Sequence, residues 1–147
     1  MIDQITVFLE NKKGRVASVA RTIADAGVNM TALSLADSEE YGLARIVCGE
    51  PERALKALGE AGYRAKVVKV AAVAVPDRPG GLAELFEALD ELDVNIEYCY
   101  CFSHRDGAAV FALKVADAAA AARAVWTLEG AGFKALTQAD LDRKSVV

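Results

Sequence analysis

Hydrophobic and polar positions alternate in a regular way at the start of the chain and then change period. Ile5, Val7 and Leu9 are separated by polar or smaller residues, which is typical of a strand with one buried face. A glycine-containing loop follows. The apolar positions beyond it have the spacing of one helix face, namely Val16, Val19, Ala20, Ile23 and Ala24. The pattern predicts a strand, a loop and an amphipathic helix that ends near Gly27.

The next forty residues predict two strands, a second helix and a short closing strand. The strands are expected at 30–36 and 43–48, joined by a polar turn. Pro51 favours a helix start and Gly62 a helix end, and a strand at 65–70 closes the segment. The order βαββαβ is the split βαβ arrangement of ferredoxin-like folds.

This order occurs twice. Matching residues lie 66 positions apart in the first half of each copy and 70 apart near its end, as in Gly14 and Gly80, Asn29 and Asn95, and Tyr63 and Phe133. The second copy predicts helices near 80–92 and 117–131. We therefore expect an α+β protein of two ferredoxin-like units with antiparallel sheets, one over 1–69 and the other over 70–147.

The net charge and the cysteine content limit the classes of binding partner and the cellular compartment that the sequence favours. The 17 Lys and Arg against 21 Asp and Glu give a net charge of −4, which argues against nucleic acid and against an anionic membrane surface. Three cysteines are an odd number, and the chain starts without a basic, apolar leader. We expect a reduced, cytoplasmic protein with no nucleic-acid or membrane partner.

Residues that could carry catalysis or bind a metal are few. His104 is the single histidine, so a two-histidine metal site is excluded, and its position favours a hairpin residue. Cys99 and Cys101 share a strand face, but they align with Leu33 and Leu35, which favours small core residues over metal ligands. We expect no catalytic residues, no metal and no cofactor.

The same alignment predicts which side chains face the core. Leu33 and Leu35 are expected to face the helices, so three aromatic residues of the second copy lie on the opposite face: Tyr98, Tyr100 and Phe102. We predict that these three are buried against the other unit or a second chain. Unpaired sheet edges favour a homodimer. Trp126 is expected to pack in the last helix, and the charged run at 140–144 to be a solvated tail.

The loop between first strand and first helix is the candidate ligand site. In the second copy it runs from an acidic residue through two glycines into the helix: Asp77, Arg78, Pro79, Gly80, Gly81 and Leu82. Backbone N–H groups at such a helix start favour an anion, and glycine allows close approach. A capping turn of no further function would have the same spacing. Recurrence of the loop at 11–16 favours the ligand site.

Four features together resemble the ACT domain, a small ligand-binding regulatory module. They are the first loop, the helix that follows it, the Val-Asn start of the second strand and the late Ala-Gly-aromatic turn. The resemblance covers about residues 3–138 and implies amino-acid binding where the first loop of one unit meets the second-strand entry of another. The second copy supplies Asn95 and Ile96 besides its loop. The first copy supplies Asn11, Gly14, Arg15, Val16, Asn29 and Met30. The first loop lacks the aspartate, which weakens ammonium recognition, and its basic residues strengthen carboxylate recognition.

We expect a non-catalytic sensor that binds a free amino acid between ACT units of a homodimer. One alternative is a regulatory subunit or interaction module for a separate amino-acid-metabolism enzyme, without a ligand of its own. Another is an RNA-binding module of the same βαββαβ order that uses the three aromatic residues, which the net charge disfavours. An acylphosphatase-like enzyme is a further alternative, but the sequence shows no clustered nucleophile and base.

Overall fold

The structure is a computed structural model that describes residues 1–10, 12–37 and 41–144. Asn11, one of the predicted site residues, therefore lies outside the described residues, as does most of the polar turn before the third strand. The chain divides into two compact units. One comprises Asp3–Val68, and the other comprises Lys69–Val147 together with Met1–Ile2.

The first unit has the predicted order of elements. They are β1 (Ile2–Glu10), α1 (Arg15–Asp25), β2 (Met30–Asp37), β3 (Tyr41–Cys48), α2 (Pro51–Glu60) and the beginning of β4 (Arg64–Pro76). The strand order is β2-β3-β1-β4, and β3 pairs antiparallel with both β1 and β2. Alternate residues of β1 pack against the helices in a core that contains Ile5, Val7, Val19, Ile23 and Leu58.

The second unit repeats this order and adds one helix. Its elements are the end of β4, α3 (Gly81–Asp90), β5 (Ile96–Arg105), β6 (Ala108–Val115), α4 (Ala118–Gly130), β7 (Lys134–Leu136) and α5 (Gln138–Lys144). Strand β6 pairs antiparallel with β4 and β5, and β7 pairs antiparallel with β4. The core contains Val73, Leu85, Leu89, Leu113 and Leu128. The predicted fold class is confirmed.

The strand that closes the first unit is longer than expected. It was predicted to end at Val70, but β4 runs for 13 residues from Arg64 to Pro76. The stretch between those ends contains no Gly, Pro, Asn or Asp that would interrupt a strand, and valines occur throughout it. One strand therefore ends the first βαββαβ order and begins the second.

The charged C-terminal segment is a helix rather than a solvated tail. Thr137 and Asp140 cap its start: the Thr137 backbone N donates to Asp140 Oδ2 at 2.9 Å, and the Asp140 backbone N donates to Thr137 Oγ1 at 3.3 Å. Arg105 Nη2 donates to the Asp140 carbonyl at 2.7 Å, and Leu141 is buried. This capping pair, with an apolar residue directly after it, was the sequence signal for α5.

Two apolar residues of β2 face the predicted side but are not buried. Leu33 and Leu35 pair with the buried Ile46 and Ala44, yet they are 40% and 52% exposed. The reason is that β2 is the edge strand of its unit. In the second unit Cys99 packs against the core as expected, whereas Cys101 is exposed.

The prediction that Trp126 packs against its surroundings is wrong, because the side chain is 80% exposed. The buried residues of α4 include Ala124 and Leu128. At about 100° per residue, a position two residues from each lies on the opposite side of the helix. Helical spacing therefore placed Trp126 on the outer face, although its size suggested the core.

The three aromatic residues of β5 form a row. The Tyr98 and Tyr100 rings are stacked with centroids 6.4 Å apart, and the Tyr100 and Phe102 rings are tilted at the same separation. All three are half-buried. Their burial against the other unit or a second chain stays a prediction.

Candidate functional site

The first helix of each unit starts on a glycine in the left-handed conformation. Gly14 precedes α1 with φ 87°, and Gly80 precedes α3 with φ 88°. Within the described residues, neither helix start is capped by a side chain, whereas Asp117 caps α4 by accepting a hydrogen bond from the Ala120 backbone N at 2.8 Å. The repeated loops therefore present two equivalent helix starts, which favour an anion.

In the first unit a carboxylate of the chain lies beside this helix start. Glu10 Oε2 is 2.9 Å from Lys12 Nζ and 3.6 Å from Arg15 Nη2. The hydrogen bond and charge of Lys12, with a smaller effect of Arg15, hold the pKa of Glu10 below its usual range. The surroundings of the loop thus stabilise a carboxylate in its charged form.

A cleft of about 330 Å³ lies beside the loop, and we call it the loop cleft. Arg15 and Lys12 provide positive charge on its wall, and Val16 and Leu35 provide apolar surface. Its remaining lining comes from β1, β2 and β3: Leu9, Glu10, Ala36 and Gly42. A site with both characters suits a small molecule that combines an anionic group with an apolar part.

The other predicted residues of the first unit lie elsewhere. Asn29 and Met30 line a separate cleft of about 450 Å³ with residues of α1 that include Ala17, Ala20 and Ala24. Arg15 and Val16 thus meet in the loop cleft, while the strand-entry residues do not join them. The resemblance assigns the loop and the strand entry of one ligand site to different units, so this separation within a unit leaves that assignment untested.

The second loop carries different charge pairs. Arg78 Nη2 lies 2.9 Å from Glu84 Oε2, so the guanidinium already has a carboxylate partner. Asp77 is joined to the β5–β6 hairpin: its backbone N donates to the Gly107 carbonyl at 3.1 Å, and its Oδ2 lies 3.9 Å from His104 Nε2. Sequence spacing gave no sign that the single histidine lies beside the loop.

The remaining predicted residues of the second unit differ in exposure. Gly81 is buried, and a Cβ atom there would lie 2.2 Å from the Pro76 carbonyl oxygen. Pro79, Leu82 and Asn95 are exposed, whereas Ile96 packs against the core. Gly81 is therefore required for close approach of helix and strand, and Ile96 contributes to packing.

The cysteines differ strongly in their surroundings. Cys48 is buried, Cys101 is exposed, and burial together with the nearby Cys101 raises the pKa of the Cys99 thiol to about 11. Within 1–10, 12–37 and 41–144, no three His, Cys, Asp or Glu side chains are grouped so as to hold a metal ion.

These surroundings predict an order of alkylation. With iodoacetamide at pH 8, Cys101 should react first, Cys99 far more slowly because little of it is thiolate, and Cys48 only on unfolding. Peptide mass spectrometry over time would give the three rates. Equal rates for Cys99 and Cys101 in the folded protein would contradict this description.

The sequence matches the ACT domain pair family over residues 1–139, and the chain belongs to this family. No curated protein matches the sequence. A protein from Bacteroides thetaiotaomicron is similar in structure with a TM-score of 0.86 and 28% identity, over 96% of this chain and 95% of that one.

A regulatory subunit of one enzyme and part of the chain of another share the fold. The ligand-free regulatory subunit of aspartate kinase from Thermus thermophilus aligns with a TM-score of 0.62 and 20% identity, over 88% of this chain and 92% of that one. Aspartate kinase from Synechocystis aligns with a TM-score of 0.53 and 25% identity, over 87% of this chain and 25% of that one. Among the described helices, none has the length and apolar character needed to span a bilayer.

Proposed function

We propose that this ACT domain pair is a non-catalytic regulatory module that binds a free amino acid where the first loop of one unit meets the second-strand entry of another. The observation that carries the proposal is the duplicated helix start, in which Gly14 and Gly80 have nearly the same left-handed geometry and no described side chain caps either helix. Membership of the ACT domain pair family supports the same assignment.

The two ends of an amino acid would be recognised by different groups. Its carboxylate would accept hydrogen bonds from backbone N–H groups at the helix start, with Arg15 close by in the first unit. Its ammonium group would pair with Asp77 in the second unit. The first loop has the basic residues Lys12 and Arg15. The first site would therefore recognise the amino acid mainly through its carboxylate.

Selectivity for the side chain would come from the apolar walls and from a neighbouring unit. Val16 and Leu35 supply apolar surface in the loop cleft. A ligand held between units stabilises one pairing of units over others, and a partner protein can respond to that shift. We propose a homodimer as the assembly in which this occurs, with a separate enzyme as the regulated partner.

The first experiment is thermal unfolding with each of the twenty amino acids at millimolar concentration. A ligand at about 100 times its dissociation constant adds about 2.7 kcal/mol of stability. For a domain of this size that corresponds to a rise in Tm of several degrees. One amino acid, or a chemically related pair, should give this rise. No shift with any of the twenty, in ligand-free folded protein, would contradict amino-acid binding.

Loop variants then locate the site. Gly14→Asp combined with Gly80→Asp should abolish binding, because a carboxylate at each helix start repels that of the ligand. The single variants would show which unit binds. Gly132→Asp is the matched control, since Gly132 also has positive φ, with open space around it, and follows α4 rather than preceding a helix. Unchanged affinity in the folded double variant would place the site elsewhere.

A further inference from the structure

A second cleft of the first unit also reaches Arg15. It has a volume of about 770 Å³, and we call it the turn cleft because the turn between α2 and β4 forms one wall. That wall consists of Ala61, Gly62, Tyr63 and Arg64. Leu9, Glu10 and Arg15 line both this cleft and the loop cleft. Its volume is in the range of small-molecule binding sites.

Three aromatic side chains line the turn cleft. Tyr41 is 57% exposed and Phe8 is 40% exposed, so both rings present accessible surface. Tyr63 is half-buried, and its hydroxyl donates to Ser18 Oγ at 2.5 Å, which joins the turn to α1. The cleft thus offers ring surface held at a defined position.

Positive charge is concentrated at the same place. The Arg64 guanidinium carbon lies 5.7 Å and Lys66 Nζ 5.9 Å from the centre of the Phe8 ring. Within the described part of the chain, neither side chain pairs with a carboxylate. Among the described residues, the carboxylate beside Arg15 is that of Glu10, which also pairs with Lys12. In a chain of net charge −4, this local excess of cations favours an anion.

The second unit does not repeat these side chains. At the 66-residue offset Phe8 corresponds to Ala74, Arg15 to Gly81 and Ser18 to Glu84. At the 70-residue offset Tyr63 corresponds to Phe133 and Arg64 to Lys134. At these five positions the second copy therefore lacks one ring, two guanidinium groups and two hydroxyls, although Lys134 retains a positive charge, and it has a carboxylate in place of Ser18. The shared fold therefore does not account for the side chains that line the turn cleft.

We propose that the turn cleft binds a small anion that carries a planar ring. The ring would pack against Phe8 and the tyrosines, and the anionic group would lie between Arg64 and Arg15. This site is distinct from the amino-acid site proposed above and does not depend on it. Because both clefts reach Arg15, a ligand in one would alter the affinity of the other.

An aryl carboxylate and a nucleoside monophosphate are both small anions with a planar ring. Binding experiments distinguish which of the two classes the turn cleft prefers. Calorimetric titrations would use indole-3-acetate for the first class and AMP for the second. Inorganic phosphate and cyclohexaneacetate are the controls for an anion without a ring and for a ring that is not planar. We expect one planar-ring anion to bind with a dissociation constant below a millimolar and both controls to bind much more weakly.

Variants on the exposed rim then test the assignment. Arg64→Gln combined with Lys66→Gln should weaken binding of the ring anion about tenfold or more, and Phe8→Leu should do the same. Lys134 is the exposed residue of the second unit that matches Arg64, and Lys134→Gln should leave the affinity for the ring anion unchanged. Amino-acid binding should persist in the Arg64 and Lys66 variant, which keeps this test separate from that of the proposed function.

Three results would overturn the proposal. One is the absence of binding by either planar-ring anion at millimolar concentration. Another is equal binding by inorganic phosphate or cyclohexaneacetate, which would show that no ring is recognised. The third is unchanged affinity in folded protein carrying both the Arg64 and the Lys66 substitutions.

Discussion

Leu58→Ala and Leu128→Ala should each lower the free energy of unfolding by about 3 kcal/mol. The two leucines occupy matching positions of α2 and α4, both are fully buried, and each packs in the core of its own unit. Truncation removes apolar contacts and leaves a cavity that the surrounding side chains fill only partly.

Urea unfolding followed by far-ultraviolet circular dichroism would measure the loss, and hydrogen exchange would locate it. Protection should fall within 3–68 for the Leu58 variant and within 69–144 for the Leu128 variant. Trp126→Ala is the control, with almost no change expected, because that side chain is 80% exposed. A loss below about 1 kcal/mol for either leucine would contradict the described cores.

Among the glycines at the two helix starts, Gly81 should be the least tolerant of substitution: Gly81→Ala should lower the free energy of unfolding by about 3 kcal/mol, at the upper end of overpacking effects. A Cβ atom at this position would lie 2.2 Å from the Pro76 carbonyl oxygen, which is backbone and cannot rotate away. The neighbouring Gly80→Ala should cost about 1 kcal/mol, because its positive φ is unfavourable for alanine but its Cβ would meet nothing closer than 3.9 Å.

The difference in the free energy of unfolding between the Gly81→Ala and Gly80→Ala variants tests this explanation. Chemical denaturation of both variants, with Gly14→Ala as the matching positive-φ control in the first unit, would give three values. Gly81→Ala should lower the free energy of unfolding more than the other two variants do. Gly80→Ala and Gly14→Ala should lower it by similar amounts. If Gly81→Ala were no more destabilising than Gly80→Ala, the close approach of α3 to the end of β4 would be wrong.

Periodicity predicted much of the fold because it reports burial directly. The alternation in Ile5, Val7 and Leu9 and the helical spacing through Val19 and Ile23 both identify residues that are buried in one core. The repeat of that pattern predicted the second unit. Burial at the sheet edge could not be predicted in this way, since Leu35 has the right period but lies on the strand at the edge of the described sheet.

The candidate site was predictable where it depends on backbone conformation. Gly14 and Gly80 were identified from spacing, and both have the positive φ that favours glycine. Partners distant in sequence were not predictable. The approach of His104 to Asp77 and the meeting of Phe8 with Arg64 depend on how strands and hairpins return to each other, which no local pattern encodes.

The single long strand β4 affects how the protein can be dissected. A break after residue 68 or 69, where the repeat suggests two separable halves, would cut through the 13-residue strand. Each fragment would then carry a frayed strand end with unmet backbone hydrogen bonds, a feature that promotes aggregation of β-proteins. Gene fragments for isolated units should instead overlap, so that both retain Arg64–Pro76 in full.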